Sequence, residues 1–210
     1  MPFDDRYQEF GLSRNPFIAR SSVDEKPRTF VDQGLGSPPP PGSHTLVQVI
    51  GDSGVGKSAH LNVWRSLTPG PYHYIVRTPY HSRWRLPPVA PIVYGDEIDR
   101  MPKLLRHRWF RSLSRIGATV VIGTHVNLRK LGEGAGFDVI THRLEPFDEE
   151  TLATFLQRRI AEATVGEPPI ELSPAEISQI FKTSKGNPGR AEVAAHQLIA
   201  ARVHGFDEQG

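Results

Sequence analysis

The chain has 210 residues, of which 38% are hydrophobic and 23% charged. That composition excludes a disordered or fibrous chain and allows one medium α/β domain with a small annex. Absence of cysteine excludes disulfides and thiolate metal sites and fits a reducing cytoplasm. The net charge is only +2, yet residues 77–116 hold nine Lys/Arg against three Asp/Glu, a concentration of positive charge able to meet a polyanion.

Residues 1–43 read as an N-terminal arm. MPFDDRYQEF lacks the pattern of a signal peptide, and no apolar run approaches membrane length, so no membrane insertion is expected. The aromatics of YQEFGLSRNPF need a surface to bury against, and GSPPPPGS (36–43) is a stiff spacer prone to polyproline II. TLVQVI from Thr45 is a short strand, 58–67 a helix, and YHYIVRT (72–78) alternates as a strand. The link that follows, PYHSRWRLPPVA with Pro91, carries four prolines and leaves no room for an ordinary crossover helix. PIVYGDE is a buried strand, MPKLLRHRWFRSLSRIG a helix with Pro102 near its first turn, ATVVIG another strand, and DVITHRL (138–144) the last.

Strands alternating with helices, the strands nearly continuously apolar, predict an α/β fold: a parallel sheet covered on both faces, over 44–147. Three helices follow over 148–210, each with a legible start. Asp148 caps the first, with Phe147 and Leu152 as its staple. Ser173, Pro174 and Glu176 form a capping box for the second, and Asn187 with Pro188 opens the third.

GDSGVGKS fits G-x-x-x-x-G-K-[ST] between a strand and a helix. In such a loop the backbone N–H groups of Gly51, Asp52, Ser53, Gly54, Val55, Gly56, Lys57, Ser58 and Ala59 can surround phosphates at the positive end of the helix. Lys57 neutralises phosphate charge and the Ser58 hydroxyl is a ligand for Mg²⁺. Asp96 and Glu97 end the next buried strand: the first suits a Mg²⁺ held through water, the second the activation of a water for in-line attack. Asp99 reads as part of the turn. Thr124 and His125 end ATVVIGTH, where a polar side chain can orient the attacking water; Thr124 leads by position. Arg190, in the first turn of the last helix, is a cation set against the helix dipole, a placement that a nearby phosphate explains.

In order, YQEFGLSRNPF, GDSGVGKS, PIVYGDE, VVIGTHVNL and KGNPGR resemble AAA+ ATPases, and more narrowly the bacterial ExeA-like and TniB/TnsC-like group. The resemblance implies an ATP-binding core with a helical lid. It makes Asp96 the Mg²⁺-associated acid, Glu97 the catalytic base, Thr124 and Arg190 the first and second sensors, and puts Phe10 to Phe17 near the adenine. ATP over GTP also follows from it, as does a ring or filament homo-oligomer acting in DNA transposition or in secretion. The chain departs from the pattern in three places. LGEGAGFDV lacks the arginine expected before the last strand, leaving Arg129 or Arg143; Gly189 intrudes before Arg190; and the second crossover helix is missing.

Lys103, His107, Arg111 and Arg115 recur every four residues on one helix, apart from an apolar face of Leu105, Trp109 and Leu113. With Arg83, Trp84 and Arg85 in the preceding loop they form a candidate surface for non-specific DNA binding. The sequence therefore predicts a compact Mg²⁺-dependent ATPase coupled to DNA or to a protein partner. The alternatives are a nucleotide-gated adaptor or secretion-associated ATPase with little hydrolysis, and, less well matched, a small-molecule kinase.

Overall fold

The computed structural model describes residues 7, 11–12, 16–17, 30–75, 86–166 and 170–204. The chain divides into two compact units, one of residues 32–145 and one joining residues 1–31 to 146–210.

The 32–145 unit is built on five strands: β1 (Thr45–Ile50), β2 (Tyr72–Tyr74), β3 (Ile92–Asp96), β4 (Thr119–Thr124) and β5 (Asp138–Arg143). Their order is β2-β3-β4-β1-β5, and every neighbouring pair is parallel. Because side chains alternate across a strand, successive residues supply different cores. Leu46, Val93, Val120 and Ile122 face α2 (Lys103–Arg115) and meet Trp109, Phe110 and Leu113. Val47, Val49, Ile92, Tyr94 and Val121 face α1 (Lys57–Leu67) and meet Leu61 and Trp64. Both faces are thus covered, and the strands carrying this load are the nearly unbroken apolar runs of the sequence.

Three details bear on the sequence reading. The described part of β2 stops at Tyr74, with Ile75 N–H still donating to the Asp96 carbonyl at 3.0 Å; residues 76–85, and with them Arg83, Trp84 and Arg85, lie outside the described residues. Residues 86–91 carry no helix, as their prolines require. A short helix α3 (Arg129–Gly134) precedes β5, although two glycines had disguised it. Gly132 fits there because a Cβ at that position would drive into the Leu46 side chain. β5 itself is an edge strand with mostly exposed side chains, as its polar Asp138, Thr141 and Arg143 dictate.

The second unit packs α4 (Glu149–Ala163), α5 (Pro174–Ser184) and α6 (Pro188–His204) around Leu152, Leu156, Ile160, Ile180, Ala195 and Ile199. All three helix starts follow the sequence. Asp148 Oδ1 accepts from Thr151 N–H at 2.7 Å, Ser173 and Glu176 form a reciprocal capping box, and Asn187 Oδ1 accepts from Arg190 N–H at 3.1 Å. The aromatic N-terminal segment finds its surface here: Tyr7, Leu12 and Phe17 are buried among these helices. Gly11, at φ +68°, lets the Gly11 carbonyl accept from Val165 N–H at 2.7 Å, tying the segment to the end of α4.

Phe110 is fully buried between α2 and the sheet, whereas Leu104 on the same helix is 84% exposed. Phe110→Ala is expected to cost about 3–5 kcal/mol in chemical denaturation of the 32–145 unit, and Leu104→Ala less than about 0.5 kcal/mol. Equal effects would contradict the burial described.

Candidate functional site

β1 delivers the chain into a loop that begins at Gly51, whose N–H donates to the Thr124 carbonyl at 3.4 Å. The loop closes tightly over itself: a Cβ at Gly51 would stand 2.7 Å from Val55 Cγ1. Gly54 and Gly56 hold φ of +83° and +106°, conformations that glycine adopts without strain. Gly56 is also the residue before α1, and without a side chain it cannot cap that helix. The first turn of α1 therefore keeps its backbone donors turned to the loop, and it contains no acidic residue.

Lys57 is 4% exposed, and its Nζ donates to the Gly51 and Asp52 carbonyls, each at 2.9 Å. Burial holds its ammonium below the ordinary lysine value, against the opposing pull of Glu97 and Asp96. Among the described residues its hydrogen-bond partners are two neutral carbonyls, which compensate a buried cation poorly; an anion in the loop would complete it.

Ser58 Oγ donates to Asp96 Oδ2 at 2.5 Å, bringing the two oxygen groups predicted as metal ligands side by side. Asp96 is fully buried at the end of β3. Its Oδ1 accepts Glu97 N–H at 3.0 Å, and Tyr72 in β2 donates its hydroxyl to Oδ2 at 2.8 Å. Room for the carboxylate comes from β4, where a Cβ at Gly123 would collide with Asp96 Oδ1. The donor set suits the expected groups. Hard oxygen ligands from Ser58 and Asp96 match Mg²⁺, while uncapped N–H groups and Lys57 match a phosphate chain.

Glu97 has φ +58°, uncommon for a residue with a side chain and a mark of local constraint. Its side chain is nine-tenths buried, forms an ion pair with Arg100 Nη2 at 2.8 Å and lies 3.3 Å from His125 Nδ1. Neither approach has hydrogen-bond geometry at Oε2, which is left without a hydrogen bond. Asp99 joins the cluster: its Oδ1 accepts from His125 N–H and its Oδ2 lies 3.3 Å from His125 Nδ1. Ligand atoms of Glu97, Asp99 and His125 lie within 4.8 Å of one another, with the Arg100 guanidinium supplying positive charge at that point.

The structure thus brings together Lys57, Ser58, Asp96 and, through its backbone, Glu97. Thr124 is fully buried beside Ile50, but its hydroxyl closes a turn, donating to the Val126 carbonyl at 3.0 Å and accepting Val126 N–H at 3.2 Å. The strand-end side chain that reaches Glu97 is His125. Arg190 is exposed in the first turn of α6, in the other unit. Phe10 lies outside the described residues, and Phe17 is buried in the helical core. Of the two arginines near the last strand, Arg129 is engaged with Glu133 at 3.3 Å and with the Val139 carbonyl at 3.1 Å, and Arg143 is exposed. Sequence reasoning missed Tyr72, Arg100 and Gly123. The only local signal was the alternation of YHY and an arginine three residues after Glu97.

No family model matches the chain, and no curated protein does. Solved structures match across most of it. RuvB of Thermotoga maritima, described as a Holliday junction branch migration motor, gives a TM-score of 0.53 at 18% identity, covering 74% of this chain and 54% of RuvB. A point variant of the same RuvB gives 0.57 at 16% identity, covering 78% and 57%. The chain spans about half the length of the RuvB structures it matches. With the strand order and loop described above, the fold is that of an AAA+ P-loop NTPase: a five-stranded parallel sheet flanked by helices and followed by a helical unit. Among the described residues no helix is long and apolar enough to cross a membrane.

Burial acts to raise the Asp99 carboxyl, but hydrogen bonds from the His125 backbone and ring, with the charge of that ring, leave it below its ordinary value. The associated stability is present above the ordinary aspartate pKa and lost as pH falls through the lowered one. His125→Ala is expected to move the Asp99 carboxyl back up, as followed by ¹³C NMR titration. An unmoved value would show that the imidazole does not act on it.

Proposed function

We propose that this chain binds ATP with Mg²⁺ and hydrolyses it. The observation that carries the proposal is the convergence of an under-compensated Lys57, an uncapped helix start and the Ser58–Asp96 pair on one loop. Mg²⁺, when bound, supplies charge neutralisation for the phosphates and a template for in-line displacement. Lys57 and the N–H groups of 51–59 bind and orient the phosphate chain. Ser58 and Asp96 would hold the cation. Glu97 takes the proton of the attacking water, and Arg100 and His125 fix the direction of its carboxylate. Thr124 and Arg190 keep the sensor roles that the sequence resemblance implies, with His125 added beside Thr124.

The narrower likeness to the ExeA-like and TniB/TnsC-like group supports a DNA transaction of the transposition type, worked by a homo-oligomer or with a protein partner, in the cytoplasm. Arg129, occupied by Glu133 and the Val139 carbonyl, favours slow turnover until a partner engages. An adaptor with little hydrolysis is the second reading, favoured by that same occupied arginine.

For the DNA partner, α2 supplies the surface. Lys103, His107, Arg108, Arg111 and Arg115 are exposed, and among the described residues none of them forms an ion pair. The predicted row is therefore free to meet phosphates, widened by Arg108. Trp109 and Phe110 are buried, so neither large aromatic of this helix is open to stack a base, and His107 is its one exposed ring. Contact is then with a duplex backbone, without sequence readout.

Two tests follow. Lys57→Ala is expected to abolish nucleotide binding in calorimetry, and Glu97→Gln to keep binding while lowering hydrolysis about 10²–10⁴-fold. Wild-type turnover no faster than that of Glu97→Gln, with and without DNA, would favour the adaptor. Changing Lys103, Arg111 and Arg115 to Gln is expected to weaken duplex binding and flatten the dependence of log K on log salt by roughly 2–3. An unchanged slope would remove α2 as the contact.

A further inference from the structure

The fold gives Asp96 one partner that the phosphate-loop pattern does not include. Tyr72 donates its hydroxyl to Asp96 Oδ2 at 2.8 Å, the same oxygen that accepts from Ser58 at 2.5 Å. The contact arises from register. β2 lies parallel to β3 at the sheet edge, with Tyr72 opposite Tyr94 and Tyr74 opposite Asp96. Tyr72 therefore stands one same-face step behind the carboxylate, a distance that a phenol spans. The ring is held from its other side, since the Arg65 guanidinium sits 5.6 Å from its centroid and Arg65 Nε donates to the Gly70 carbonyl at 3.2 Å.

The chemistry of the donor matters. A phenol is protonated across the ordinary working pH range, so Tyr72 donates and the Asp96 carboxylate accepts there. A phenol also brings no positive charge, and so it can hold a carboxylate without competing electrostatically with a cation. An arginine or lysine at the same place would compete. The terminal torsion of an aspartate is broad and easily turned. Among the described residues the other anchor on Oδ2 is Ser58, whose own oxygen would face the metal.

We infer that Tyr72 is a positioning residue for the divalent cation: its hydrogen bond keeps the Asp96 carboxylate turned toward the place that Ser58 shares. The inference rests on the Mg²⁺–nucleotide reading of the site and adds to it a residue outside both nucleotide motifs. The cation class is a hard divalent ion taking oxygen ligands, Mg²⁺ or Mn²⁺.

Tyr72→Phe keeps the ring under Arg65 and removes only the hydroxyl. Mn²⁺ titrated into the full chain with ADP, read by electron paramagnetic resonance, is expected to bind roughly 3–10-fold more weakly to the variant. ADP affinity measured in EDTA is expected to match the wild type, while the thermal midpoint without metal falls slightly because buried Asp96 loses one donor. In hydrolysis assays the metal concentration at half-saturation rises, while the rate at saturating metal is recovered. Equal Mn²⁺ affinity in the two proteins overturns the inference. So does a matching loss of ADP affinity in EDTA, which would make Tyr72 a packing residue only. Wild-type protein that binds no nucleotide at all would be a separate result, overturning the nucleotide reading and this inference with it.

Discussion

A single buried carboxylate organises the α/β unit. Asp96 has no exposure to water, so its charge must be met by donors fixed in the fold. Three arrive from three directions: the Ser58 hydroxyl from the start of α1, the Tyr72 phenol from β2, and the backbone N–H of Glu97. A fourth element, β4, contributes by absence, because only a glycine at 123 leaves room for the carboxylate. Remove this anion and the loop start, the edge strand and the Glu97 turn lose their common reference. A carboxylate so heavily solvated by protein is also ready to face a cation, since its donors are already in place when a metal arrives.

Around it the sheet keeps separate tasks on separate faces. The α1 face packs Trp64 and Tyr94 beneath the phosphate loop, and Tyr94 donates to the carbonyls of Trp64 and Thr68, bracing the far end of that helix. On the α2 face Arg106 is buried and donates to the Ile98 and Asp99 carbonyls, so one cation of the basic helix is spent on anchoring the turn after Glu97. In β1, Gln48 is fully buried and satisfied, bonding Asn127, Thr141 and Leu128 N–H and so fixing the segment after His125. Such networks stabilise only when every member is paired, as this one is.

Much of this was legible in the sequence because the controlling chemistry is local. A phosphate loop needs its glycines, lysine and hydroxyl at set offsets within eight residues, and caps such as Ser173 with Glu176 operate over a single helical turn. Strand-end acids were legible for the same reason. What escaped was whatever depends on register between strands distant in sequence. Nothing near Tyr72 shows that β2 will lie beside β3, and nothing in ATVVIGTH shows that Thr124 turns to Val126 while His125 reaches Glu97. The short helix before β5 escaped because its glycines have poor helix propensity, whereas Gly132 is retained for close packing against Leu46.

The burial of Tyr7, Leu12 and Phe17 among helices from the far end of the chain has a consequence for synthesis. The helical unit is discontinuous, and its first portion emerges from the ribosome ahead of residues 32–145, with its packing partners later still. At about 5–20 residues per second that gap lasts on the order of ten seconds. For that interval the early aromatic segment must stay solvated or be shielded by another protein. Residues 32–145 leave the ribosome before that segment's helical partners do, and so are able to fold ahead of the helical unit.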